Sequence, residues 1–247
     1  MPEAPSSSVA GTARNRISPG GLSRLPLAGH SSALRFAEPR FNQHHIAGLH
    51  RQLQQTQIDV IIGLLAALQA KDAYTHDHSI RVSILVDRLA ERLRLSPRQA
   101  SAIHVAALLH DIGKIAVPES IIAKPGPLNA GEMEMMKQHS SIGAEMLRPI
   151  TSLQCERQFV LHHHEWWNGA GYPNRLAGTS IPFGARLLQI ADCIDAMISP
   201  RSYKPPRDAQ YVIAQLNQGR ERQFDPQIAD AAINWLRQDS SALTLSV

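Results

Sequence analysis

Cysteine is scarce in this chain. Cys155 and Cys193 are the only two, and no C-x-x-C pair occurs. That excludes a disulfide framework and a thiolate zinc ribbon and fits a reducing cytoplasm, with both thiols read as small core residues. Long apolar runs are missing too. The longest, Ile58 to Leu68, is interrupted by Asp59 and is about half the ~20 residues that a membrane span requires. No basic start followed by an apolar stretch opens the chain, so no secretory signal is expected. Strand signals are also lacking, because apolar and polar residues never alternate strictly for more than a few positions. These absences leave a soluble, cytoplasmic, all-α protein with no membrane span.

Positive charge is present but not spread out. Of the net +4, most belongs to residues 1–45, where Arg14, Arg16, Arg24, Arg35 and Arg40 face only Glu3 and Glu38. The remainder is close to neutral, so no broad basic face for duplex nucleic acid is expected. Residues 1–45 are rich in Ser, Pro, Gly and Arg without periodicity and read as a disordered basic tail. The folded domain is expected over residues 46–240.

Histidine is abundant by contrast, with twelve in 247 residues, and histidine is the commonest metal ligand. Ile46, Leu49, Leu53, Ile58, Ile61, Ile62, Leu65 and Leu68 recur at helical spacing, which predicts a long N-terminal helix that either packs a homodimer or covers the core. The stretch Lys71 to Thr75 breaks it, with Thr75 expected to cap the next helix. There His78 shares the apolar stripe of Val82 and Leu85. Ser96-Pro97-Arg98-Gln99 reads as a capping box opening a helix that runs into His110-Asp111 and is halted by Gly113. Asn129 and Glu132 repeat the cap logic for a helix carrying His139, with Met133 and Met136 among its apolar positions. A shorter helix ends in His163-His164, a glycine-rich loop follows, and an apolar helix from Ala185 to Ile198 carries Asp192. Two further helices are expected, one over roughly Asp208 to Gln218 and one opening at Asp225-Pro226 and running to Arg237.

His78, His110, Asp111, His139, His163, His164 and Asp192 thus sit at apolar positions or helix ends of five helices. Burying them unpartnered would cost several kcal/mol each, and a shared metal centre removes that cost. Mixed imidazole and carboxylate donors suit iron or manganese better than calcium, and the lack of thiolate argues against structural zinc. Asp111 has two oxygens and can bridge two cations; such a pair activates water and binds phosphoryl oxygens, which points to phosphoester hydrolysis. Lys114 would neutralise charge building on the phosphate.

The strings His110-Asp111-Ile112-Gly113-Lys114-Ile115, Lys124-Pro125-Gly126-Pro127-Leu128, His163-His164-Glu165 with Gly169-Ala170-Gly171-Tyr172-Pro173, Ile190-Ala191-Asp192, Arg201-Ser202-Tyr203-Lys204 and Phe224-Asp225-Pro226 occur in this order. On them the chain resembles the HD-GYP family of HD phosphohydrolases, over about residues 56–235. The resemblance implies an HD-domain helical bundle that hydrolyses the bacterial second messenger cyclic di-GMP to the linear dinucleotide or GMP. It implies one metal on His78, His110, Asp111 and Asp192, and a second shared by Asp111 with His139, His163 and His164. It places Lys114 at the scissile phosphate, Arg201 and Lys204 on substrate phosphate, and Asp195, one turn after Asp192, near the substrate. Gly171, Tyr172 and Pro173 resemble a loop that meets GGDEF-type synthases. Tyr74 stands where three-metal members carry glutamate, which implies two metals. Trp166 and Asn168 also depart from the common pattern, replacing an arginine and an aspartate. Two readings stay open beside this one: a module that binds without turnover, and hydrolysis of another cyclic dinucleotide or nucleotide.

Overall fold

The three- and four-residue spacing of apolar side chains is realised as helix after helix. The structure, a computed structural model, describes residues 43–199, 207–239 and 243. Residues 1–42, Arg201, Lys204 and the side chain of Tyr74 lie outside the described residues. In chain order the helices are α1 (Gln43–Lys71), α2 (Ala73–Arg92), α3 (Pro97–Leu109), the short α4 (Glu119–Ile122), α5 (Ala130–Leu147), α6 (Gln154–His162), α7 (Phe183–Ile198), α8 (Ala209–Gly219) and α9 (Pro226–Gln238). A 3₁₀ turn, Ile112–Ala116, links α3 to α4. Among the described residues there is no strand, only two isolated bridges, and no helix is long and apolar enough to cross a membrane.

Local chemistry sets the helix starts. Ser96 and Gln99 form the expected capping box, with Pro97 in the first turn of α3, and Asn129 pairs with Glu132 in the same way before α5; such caps are worth about 1 kcal/mol each. Thr75 is not a cap. The break falls at Asp72, α2 begins at Ala73, and the Thr75 hydroxyl donates back to the Asp72 carboxylate from inside the first turn.

The core is the layer where α2 packs against α3 and α7, with α6 and α9 closing its sides. Val82, Leu85, Val86, Leu89, Leu109, Leu187, Leu188 and Ile190 are fully buried there, each contributing about 1.5–3 kcal/mol of apolar burial. Met133, expected on the apolar face of α5, is instead 42% exposed. Cys155 is exposed rather than in the core. Along α1 the single stripe read from the sequence divides. Leu68 is buried and Ile61, Leu64 and Leu65 pack on the core, while Ile46, Leu49 and Leu53 are exposed.

Gly113 has a different task from the one expected. Its φ is not in the left-handed region, and it lies inside the 3₁₀ turn rather than ending a helix. A Cβ there would meet the backbone oxygen of His139 at 2.0 Å and the nitrogen of Gly143 at 2.6 Å. Glycine lets the turn carrying Asp111 press directly on the backbone of α5, and this contact brings Asp111 and His139 together.

Candidate metal centre

Five helices deliver seven donors to one place. His78 comes from the buried face of α2, His110 and Asp111 from the end of α3, His139 from α5, His163 and His164 from the end of α6, and Asp192 from α7. His78, His110, Asp111, His139 and His163 are all buried. Three trios have their donor atoms within 4.8 Å of one another: His78/His110/Asp192, His139/His163/His164, and His110/Asp111/His163, which links the other two.

Asp111 lies between the first two. Its Oδ2 is 3.9 Å from His78 Nε2 and 3.5 Å from His110 Nε2, and its Oδ1 is 3.5 Å from His139 Nε2. The carboxylate therefore turns one oxygen to the donors on each side. Lys114 Nζ sits 2.6 Å from the same Oδ2.

Backbone carbonyls fix the rings. His110, His139 and His163 each donate Nδ1–H to the carbonyl three residues earlier (Ala107, Met136 and Val160), each at 2.7 Å. A neutral imidazole that spends its proton on Nδ1 keeps a lone pair on Nε2. All three lone pairs consequently face inward, and Nε2 of His139 and Nε2 of His163 are 3.4 Å apart. Two acceptors in contact in a dry site repel unless a cation lies between them. The donor set thus fits divalent metal, on the grounds of its own hydrogen-bond chemistry.

Burial first, then the adjoining His164, His110 and His139 rings, hold His163 well below its ordinary pKa. Burial first, then His139, pulls His164 down to about 3, and burial lowers His139 as well. His78 goes the other way. Burial opposes its charged form, but hydrogen bonds to Asp192 and Asp195 and the nearby carboxylates together push it up to about 9. Asp111 and Asp192 stay ionised against the cost of burial, held below the usual carboxylate range by Lys114 and the histidines for Asp111 and by His78, His110 and His164 for Asp192.

Asp195 does not face a substrate space. It is fully buried and accepts from His78 Nδ1 at 2.7 Å, from Arg81 Nε at 2.8 Å and from Ser199 Oγ at 2.9 Å. It orients His78, leaving Nε2 of that ring 3.1 Å from Asp192. Sequence reading missed Arg81 and the true task of Asp195; the signal was Arg81 lying one turn after His78 on the same helix face. It missed Glu165 as well. This residue is 1% exposed and its two oxygens accept from the backbone of Asn174 and Leu176, clamping the glycine loop over the site. Gly171 is where that loop presses closest, since a Cβ would meet Trp166 N at 2.2 Å. Tyr172 stacks on His164 with ring centroids 4.8 Å apart, while Pro173 is exposed.

Comparison with known proteins finds a family and an all-α fold that match this chain. The HD domain family model matches residues 61–228. The chain is 37% identical over 180 residues to the 3'3'-cGAMP-specific phosphodiesterase 2 of Vibrio cholerae, covering 72% of this chain and 34% of that protein. It is 35% identical over 211 residues to the cyclic di-GMP phosphodiesterase response regulator RpfG of Xanthomonas campestris, covering 85% and 56%. It is 39% identical over 163 residues to a cyclic di-GMP phosphodiesterase of Thermotoga maritima, covering 65% and 44%. The chain spans between about a third and somewhat over half the length of these curated relatives. In fold it is similar to the HDG"Y"P protein Bd1817 of Bdellovibrio bacteriovorus, with TM-score 0.55 at 20% identity over 72% of this chain and 60% of that one. The chain belongs to the HD domain family, in its HD-GYP branch.

Proposed function

We propose that this chain hydrolyses cyclic di-GMP to the linear dinucleotide, and onward to GMP, on two divalent cations in the cytoplasm of a bacterium. The observation that carries this reading is Asp111, whose two oxygens address the two donor sets separately. His78, His110, Asp111 and Asp192 would hold one cation, and Asp111, His139, His163 and His164 the other. When bound, such a pair supplies Lewis acidity and a water-derived nucleophile at neutral pH. Imidazole and carboxylate donors without thiolate favour iron or manganese.

The chain's own residues position the substrate. Lys114 is partly exposed, with 23% of its side chain open, and its ammonium beside Asp111 neutralises charge gathering on the non-bridging phosphate oxygens. Arg201 and Lys204 grip substrate phosphate. Water adds at phosphorus, the bond to the ribose 3′ oxygen breaks, and that oxygen leaves carrying a proton of the water. Support for a cyclic dinucleotide comes from the relatives, which are named for cyclic di-GMP in Xanthomonas and Thermotoga and for 3'3'-cGAMP in Vibrio.

Two partner assignments accompany the reading. The exposed edge of the loop at Pro173 is assigned to a GGDEF-type synthase. Ile46, Leu49, Leu53 and Val60, all exposed, repeat at three, four and seven residues, the seam of a two-stranded coiled coil with a second copy of the chain. Of the residues flanking them in Ile46–Val60, only Arg51 and Asp59 carry full charge, so like copies do not repel. Sedimentation of a Leu49→Ser/Leu53→Ser variant tests the seam, and an unchanged mass would remove it. Pull-down of a purified synthase with a Pro173→Ala variant tests the loop, and equal capture would remove that assignment.

The activity is tested by incubating metal-loaded protein with cyclic di-GMP, 3'3'-cGAMP and cyclic di-AMP and resolving the products, beside His110→Ala and Asp111→Ala. Turnover of cyclic di-GMP that both variants abolish is the expected result. Binding without turnover in the parent, or turnover of another dinucleotide alone, overturns it.

A further inference from the structure

A cavity of about 590 Å³ opens between α5 and the glycine loop, lined among others by Glu134, Lys137, Gln138, Trp166, Tyr172 and Arg175. It borders the metal centre through Tyr172, which lines it and stacks on His164. None of the seven metal donors lines it. Its walls combine one aromatic surface, Trp166, with a cation held over a ring, Lys137 Nζ at 5.7 Å from the Tyr172 centroid. Lys137 also pairs with Glu134 at 2.5 Å, so a carboxylate and an ammonium stand side by side at the rim.

That pairing has a chemical complement. Guanine presents ring and exocyclic N–H donors next to the O6 and N7 acceptors, so a carboxylate and an ammonium together satisfy its edge. Adenine offers no ring N–H donor for the carboxylate in this arrangement. A flat aromatic wall accommodates a base by stacking, which is worth about 1–3 kcal/mol per base. The volume is ample for one nucleoside of a dinucleotide whose phosphate lies at the metals.

We propose that this cavity is the base subsite of the substrate, with Trp166 stacking a guanine and Glu134 and Lys137 reading its edge. The proposal rests on the cyclic dinucleotide reading above and deepens it: substrates carrying at least one guanine are accepted and cyclic di-AMP is discriminated against. Arg175 stands at the mouth as a second cation for the approaching phosphates.

The test measures steady-state kinetics and equilibrium binding of cyclic di-GMP, 3'3'-cGAMP and cyclic di-AMP, for the metal-loaded parent, Trp166→Ala and Glu134→Gln. Trp166→Ala is expected to raise KM and Kd for the guanine-containing ligands by roughly tenfold or more, with a smaller effect on kcat. Glu134→Gln is expected to narrow the preference for cyclic di-GMP over cyclic di-AMP, and circular dichroism of both variants checks that the fold persists. Unchanged KM and Kd in a parent that turns over cyclic di-GMP overturn the subsite and leave the activity standing. Binding without turnover removes the activity while the variants' Kd values still decide the subsite. A parent that neither binds nor cleaves any of the three removes both.

Discussion

His78, His110 and Asp192 form a charged half of the centre, whereas His139, His163 and His164 form a neutral one. In the charged half His78 is held by side chains, while His110 is tied to the Ala107 carbonyl. Asp192 meets His78 at 3.1 Å, and behind His78 stand Asp195 and Arg81. The neutral half rests on backbone carbonyls and burial, with His139 and His163 tied to Met136 and Val160. Ligand basicity is raised by a carboxylate behind the ring and less so by a carbonyl. The difference teaches that Asp111 matters unequally: it adds to carboxylate already present on one side and is the sole anion on the other.

Removing Asp111 should therefore have the largest effect. Asp111→Ala is expected to reduce turnover to background and to empty the neutral half, read as metal content by elemental analysis. Two metals per chain in that variant would show that the halves do not share this carboxylate. Gly113→Ala comes next. The added Cβ forces the turn away from α5 and separates Asp111 from His139, so a loss of about 3 kcal/mol in denaturant unfolding is expected, with metal lost first from the neutral half. Unaltered stability would mean the close backbone approach is not needed.

Asp195→Asn should act on the charged half alone, lowering metal affinity there about 10–100-fold with the second site unmoved. An equal loss at both sites would contradict the separate anchoring. The gentlest probe is pH on metal-stripped protein. His163 and His164 have folded pKa values below their unfolded ones, so the unfolded chain binds more protons and stability falls as pH drops below about 6.5. His78 is raised to about 9, so its contribution is full below about 6.5 and is lost as pH climbs through 9. The thermal midpoint should thus peak near neutrality, and His78→Gln should flatten only the alkaline limb. Flattening of the acid limb instead would reverse the assignment.

Helix positions, caps and the all-α class were legible because three- and four-residue periodicity and capping chemistry are local. The starts of α3, α5 and α9 follow from Ser96-Pro97, Asn129 and Asp225-Pro226. All seven donors stood out for the same reason, as polar residues at positions that would otherwise be apolar. The misreadings were non-local. Thr75 and Asp72 are each able to cap, but where α1 stops puts the break at Asp72 and leaves Thr75 inside the first turn of α2, its hydroxyl bonded to the Asp72 carboxylate. Asp195 shares a helix face with Asp192, yet Arg81 and His78 from α2 claimed it. Met133 satisfies the spacing of α5 but faces solvent, because the groups α5 buries are chosen by what packs on it.

The sequence by itself pointed to the family, the helices and the histidines and aspartates that the fold gathers, since each signal comes from neighbours within a few residues. Only the tertiary structure decided which oxygen of Asp111 faces which histidines, that Gly113 is an approach point between backbones, and that a lined cavity adjoins Tyr172. Those facts depend on distances between helices far apart in the chain, and interhelical distance is fixed by packing volume, which no local pattern encodes.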